Sequence, residues 1–223
     1  MTEVSDRIDA LLAPHGLINM GHCTPERGDP VPSDTATVVL LGPHPQAFWP
    51  IFTASPEALD GSADPMDRWS RRVTTGIAKS LNAAALFPFE GPPYQPFQRW
   101  ALRSGRAWVS PVGFLVHDQA GLWVSFRGAL ALTEPLDTAS TQARPCETCQ
   151  SQPCRSACPV NAPQQSTYDT VACHAHLETA AGGDCLTQGC RARRICPLSE
   201  RHGRNPLQSA FHMEAFHPCR HSS

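Results

Sequence analysis

Eight of the ten cysteines in this 223-residue chain lie between positions 146 and 196, and no other feature limits its fold as tightly. They form two runs, Cys146-x2-Cys149-x4-Cys154-x3-Cys158-Pro159 and Cys185-x4-Cys190-x5-Cys196-Pro197, with Cys173 between them. Thiols this dense serve either as disulfides in an oxidising compartment or as metal ligands in a reducing one. The opening residues, MTEVSDRIDALLAPHG, have neither a basic nor an apolar stretch of the secretory kind, and no apolar run is long enough to span a bilayer. The expected compartment is therefore the cytoplasm, and the expected role of the thiols is metal binding.

The spacing narrows the metal. A two-cluster ferredoxin needs eight thiolates, four for each cubane, and its usual run ends in a Cys-Pro whose sulfur crosses to the other cluster. Proline after the last ligand fixes φ and closes the ligand loop. Both runs here end in Cys-Pro, so the expected cofactors are two [4Fe–4S] clusters. Crossover assigns Cys146, Cys149, Cys154 and Cys196 to one, and Cys158, Cys173, Cys185 and Cys190 to the other. The gaps are wider than the standard x2-x2-x3 in both runs. Two all-cysteine zinc sites would also use eight thiolates, with His174 or His176 as substitutes, so a zinc-stabilised binding module stays open. Cys23, after an apolar run, and Cys219, in a tail with His212, His217 and His221, read as spare thiols.

The expected fold class is α+β: an α/β domain over residues 1–140, then a small, mainly helical module over 141–223. In the front domain Val4–Leu12 reads as an amphipathic helix, and Leu17–Gly21 and Thr37–Gly42 as strands. Trp69, Val73, Ile77 and Leu81 recur every four residues after Asp64-Pro65, predicting a capped helix that packs on a sheet. A proline-punctuated loop, FPFEGPPYQP, leads to a second helix from Phe97. Ala107–His117 and Gly121–Leu132 read as a hairpin around Asp118–Gly121. Thr138–Pro145 reads as a linker, and the 22 prolines and 15 glycines favour many turns.

A net charge of −2 disfavours a nucleic-acid or membrane-surface partner. No G-x-G-x-x-G or P-loop run supports a nucleotide site. His117-Asp118 at the hairpin turn reads either as an acid/base pair or as a capping residue. Trp100, Trp108 and Trp123, with Phe126, read either as the lining of a flat-cofactor pocket or as core.

An α/β front followed by a two-cluster ferredoxin module resembles epoxyqueuosine reductase and, more distantly, the corrinoid reductive dehalogenases. Cys173-His-Ala-His-Leu-Glu, between the two runs, resembles the reductase's lone fifth cysteine. Trp100-Ala-Leu-Arg-Ser-Gly-Arg-Ala-Trp followed by His117-Asp-Gln-Ala-Gly-Leu-Trp is similar in order to its nitroreductase-like core. The latter strand pair also resembles the cobalamin-trafficking chaperones. The resemblance implies clusters that pass single electrons to a cobalamin, or to a small-molecule substrate, held at the front domain. It also implies a ferredoxin- or flavodoxin-type donor protein. Glu90 stands as the candidate catalytic acid, in a stretched motif with Gln98 where that family has Glu. With no appended RNA-recognition domain expected and few arginines near the second run, epoxyqueuosine is not the expected substrate. A non-catalytic electron carrier docking to a partner enzyme is the remaining alternative.

Overall fold

In the computed structural model, which describes residues 3–137 and 143–217, the run Thr37-Val-Val-Leu-Leu-Gly-Pro is buried along its whole length and forms the middle of a sheet. The strands are β1 (Leu17–Cys23), β2 (Thr37–Pro43), β3 (Ala84–Leu86), β4 (Ala107–Val109), β5 (Leu115–His117) and β6 (Gly128–Leu132). The helices are α1 (Glu3–Leu12), α2 (Phe48–Thr53), α3 (Pro56–Leu59), α4 (Pro65–Ser80), α5 (Phe97–Arg103), α6 (Pro145–Thr148), α7 (Thr170–Leu177), α8 (Gly183–Gln188), α9 (Arg191–Arg194), α10 (Pro197–His202) and α11 (Pro206–Phe216). The class is mixed α and β, with a small antiparallel sheet. Among the described residues no helix is long and apolar enough to cross a membrane.

The chain divides into two compact units, Met1–Ala107 with Ser125–Gln142, and Trp108–Val124 with Ala143–Ser223. In the first, the strand order is β1-β2-β6-β3, all antiparallel, with Thr37 opposite Leu132 and Leu41 opposite Gly128. Strands buried on both faces read as continuous apolar runs, as β2 and β6 do. Helix α4 packs on β3 and β6 and buries Trp69, Val73 and Ile77. Phe48 and Phe52 of α2 meet the Trp69 ring edge-on, at 5.3 and 6.1 Å between centroids. The expected cap at Asp64 takes a different form. Asp64 occupies the cap position at a left-handed φ of 51°, and its carboxylate makes no capping bond.

The second unit is built from short helices joined by turns, with the 108–124 segment packed among them. Val112, Val116, Leu122 and Cys154 form its apolar cluster, with Trp108, Phe114, Cys146, Cys196 and Leu198 against it. Leu122 N–H donates to the buried Ser199 Oγ at 2.8 Å. Gly121, at φ +56°, lies so close that a Cβ there would stand 2.4 Å from the Ser199 nitrogen.

The expected 107–132 hairpin is replaced by two separate pairings. β4 pairs with β5, closed by Ser110 N–H on Phe114 O (2.8 Å) and Gly113 N–H on Ser110 O (3.0 Å). Pro111 offers no N–H to a ladder, and Gly113 takes φ +76°, so the apolar run folds back midway. Around Asp118–Gly121 only the His117–Gly121 bridge remains, and β6 joins β2 and β3 instead. Residues 138–142 of the expected linker, together with Cys219 and His221, lie outside the described residues.

Candidate functional site

The first cysteine group is assembled from proline-started turns. Pro145 opens α6 and places Cys146 in it, with Cys149 as the residue that ends it. Pro153 opens a single 3-10 turn that buries Cys154. Cys196 caps α10, whose first residue is Pro197. Proline at a first helical position gives up only an N–H that would have no helical partner. All four cysteines line one cavity of about 500 Å³, together with Leu122, Leu198 and Arg201, and no lining residue is acidic. Burial and the neighbouring thiolates of Cys154, Cys196 and Cys149 push the Cys146 thiol up to about 11. Burial, then Cys196 and Cys149, likewise raise Cys154.

Cys158, Cys173, Cys185 and Cys190 form the second group. Burial raises Cys173, and the charges of Cys158 and Cys185 add to it; Cys190 is raised by burial and then by Cys158. Donors converge on these sulfurs. Ala162 N–H points at Cys158 Sγ at 3.4 Å, and the Tyr168 hydroxyl at Cys173 Sγ at 3.4 Å. Cys190 stands at the open N-terminal end of α9, so Arg191 N–H bears on Cys185 and Ala192 and Arg193 N–H on Cys190, while Arg193 N–H donates to Cys190 O at 3.0 Å. Arg191 and Arg194 share Asp184, the former at 2.6 Å. Arg193 lies 4.3 Å over the Phe114 ring and donates to Leu122 O at 2.8 Å, which fixes its charge beside Cys190.

The eight cysteines are thus gathered as two fours, and each run sends its last cysteine to the other group. Among the described residues no three His, Cys, Asp or Glu side chains converge closely enough to hold one metal ion. Four thiolates on a single zinc stand about 3.8 Å apart, from tetrahedral Zn–S bonds of about 2.3 Å. The sulfurs here are close enough to raise one another's pKa. Four soft sulfurs in each group, those of the first on a cavity of about 500 Å³ and two of those of the second facing N–H or O–H donors, are a donor set that fits a [4Fe–4S] core.

The remaining candidate residues are spread through both units. Trp100, in the first, is fully buried against Phe97, whose ring also meets Phe126. Trp108 and Trp123 belong to the second, Trp108 on the apolar cluster and Trp123 buried beneath Arg204. Glu90 is half exposed and ion-paired with Arg71, whose guanidinium also lies 5.3 Å from both the Phe87 and Phe89 rings. His117 is fully buried, and its Nδ1 faces Asp118 and the N–H groups of Gln119 and Ala120. Cys23 is buried in the first unit, its thiol pushed up to about 11 by burial. His174, one of the two expected substitute ligands, meets Phe216 and His217, at 4.7 and 4.6 Å between centroids. Tyr168 and the N–H groups of residues 162 and 191–193 escape a reading based on cysteine spacing. The one sequence signal for Tyr168 is a tyrosine five residues before Cys173. Compared with protein-family models, curated proteins and solved structures, the chain matches none.

Proposed function

We propose that the chain is a cytoplasmic iron–sulfur redox protein whose eight clustered cysteines hold two [4Fe–4S] clusters. The observation that carries this reading is the sorting of those cysteines into two groups of four with their final members exchanged. When bound, such clusters supply reversible single-electron transfer, and sulfur ligation, hydrogen bonds and local charge set its potential. The chain's part is to hold four thiolates around each core, aim N–H and O–H donors at the sulfurs, and fix Arg191 and Arg193 nearby.

Electrons would come from a ferredoxin- or flavodoxin-type donor protein. Their destination divides two readings. In one, the first unit is a nitroreductase-like domain that holds cobalamin or a small substrate, with Glu90 as acid and Trp100 as a ring-lining residue; Trp108 and Trp123, the other expected lining residues, belong to the second unit. In the other, the protein is an electron carrier that docks to a partner enzyme. Trp100 and Trp123 are buried as core, which favours the carrier.

The test is iron, sulfide, zinc and cobalt content of protein purified without oxygen, followed by a cobalamin titration. About eight irons and eight sulfides per chain are expected. Cys158→Ala and Cys196→Ala should each remove close to half the iron, and Cys23→Ala none. Stoichiometric zinc without iron would overturn the reading and restore the zinc module. Tight cobalamin binding would return the destination to the first unit.

A further inference from the structure

We infer that the second group of cysteines, if it holds a cluster as proposed above, holds its electron more tightly than the first, and that the Tyr168 hydroxyl contributes a measurable share of the difference. Reduction adds one negative charge to a sulfur-ligated core, so donors on the sulfurs and fixed positive charges favour the reduced state. Exposure does not separate the groups: each has one buried and three half-buried cysteines. The donors do. The second receives Ala162 N–H and Tyr168 O–H, each at 3.4 Å, and the backbone N–H groups at the start of α9 bear on Cys185 and Cys190. In the first, the backbone N–H that bears on Cys154 is that residue's own.

Charge acts in the same direction through Arg193, which bears on Cys190; Arg191 bears on Cys185 and Cys158 too, but its charge is offset by the Asp184 carboxylate that it pairs with. Near the first group, Arg155 bears on Cys154 and Arg201 lines the cavity. Arg193 differs from both in being held away from water over Phe114, where its field is less screened. Among these donors Tyr168 is the one that a substitution can remove cleanly. Its ring stacks on Phe216 and meets Phe114 edge-on, and phenylalanine keeps both contacts while deleting the O–H.

The groups are also near enough to exchange electrons. Cys154 and Cys158 belong to different groups, and four chain steps span at most about 14 Å. The second is therefore where an electron delivered to either comes to rest.

The experiment is a redox titration of the full, iron-loaded chain followed by electron paramagnetic resonance, on wild type and Tyr168→Phe. Wild type should show two one-electron couples of different midpoint. The variant should lower the higher one by about tenfold in its equilibrium constant, or about 59 mV. The lower couple and the iron content should not change. Coincident couples in wild type, no shift in the variant, or movement of the lower couple would each overturn the inference while leaving two clusters in place. Loss of iron from Tyr168→Phe would make the hydroxyl a structural tie and end its tuning role. Wild-type protein without iron would instead defeat the functional reading beneath it.

Discussion

The two units of this chain are held together in different ways. The first is an apolar construction: β2 and β6 are buried throughout, and Trp69 is enclosed by Phe48 and Phe52. In the second, α6 and α9 have four residues each and α8 and α10 six. Helices of that length do not persist alone in water, and its central apolar cluster has only four buried members, one of them Cys154. Short elements that carry cysteines at their ends depend on whatever joins those cysteines. Burial of oily surface holds the first unit; in the second, on the function proposed above, ligation would join the short elements that close backbone contacts bring together.

Removing iron should separate the units most sharply. Stripping the metal with a chelator should unfold the second unit, because ligation free energy is also folding free energy. Proteolysis should then cut within 143–217 while a fragment of the first unit survives, and resistance of both would break the contrast. Trp69→Ala should do the reverse. It costs the first unit about 3–5 kcal/mol by cavity formation, read as a lower urea midpoint, and leaves the visible spectrum unchanged.

Gly121→Ala sharpens the second half of the comparison. Its left-handed φ and the nearby Ser199 backbone should cost that unit about 2 kcal/mol, with no effect on the first. The smallest effect is electrostatic. Hydrogen bonds from Arg72 hold Glu57 down at about 2, against an ordinary 4.5. The pair's contribution is full above pH 4.5 and lost as pH falls toward 2. Arg72 is largely exposed, so the contribution is at most about 1 kcal/mol. Urea midpoints of wild type and Glu57→Gln should differ at pH 6 and converge in acid.

How far the fold was legible depended on how local its causes were. The Trp69–Val73–Ile77 stripe marks α4 because a helix writes its buried face into one short stretch. The 107–132 stretch misleads because β6 pairs with β2 and β3, partners far away in sequence. β3 itself is three residues, Ala84–Leu86, too few to show a period. At the candidate site the grouping of cysteines could be read from spacing and the Cys-Pro ends. The donors on them could not, since backbone N–H groups carry no residue signature and Tyr168 is brought to Cys173 by a turn. Arg193 was visible as a basic residue but not as one fixed over Phe114.

The bond from Leu122 to Ser199 spans 77 residues, and that separation is also a delay. The first unit's sheet is complete once β6 has emerged from the ribosome. Counted from its own synthesis, Leu122 waits about 4–15 s for Ser199 at ordinary rates, and Val112 and Val116 wait longer. For that interval the chain carries a folded first unit interrupted by an apolar loop with nothing to cover it. On the function proposed above, a cluster arriving at the first group of cysteines late in this window would find only Cys146, Cys149 and Cys154, because Cys196 has yet to be made.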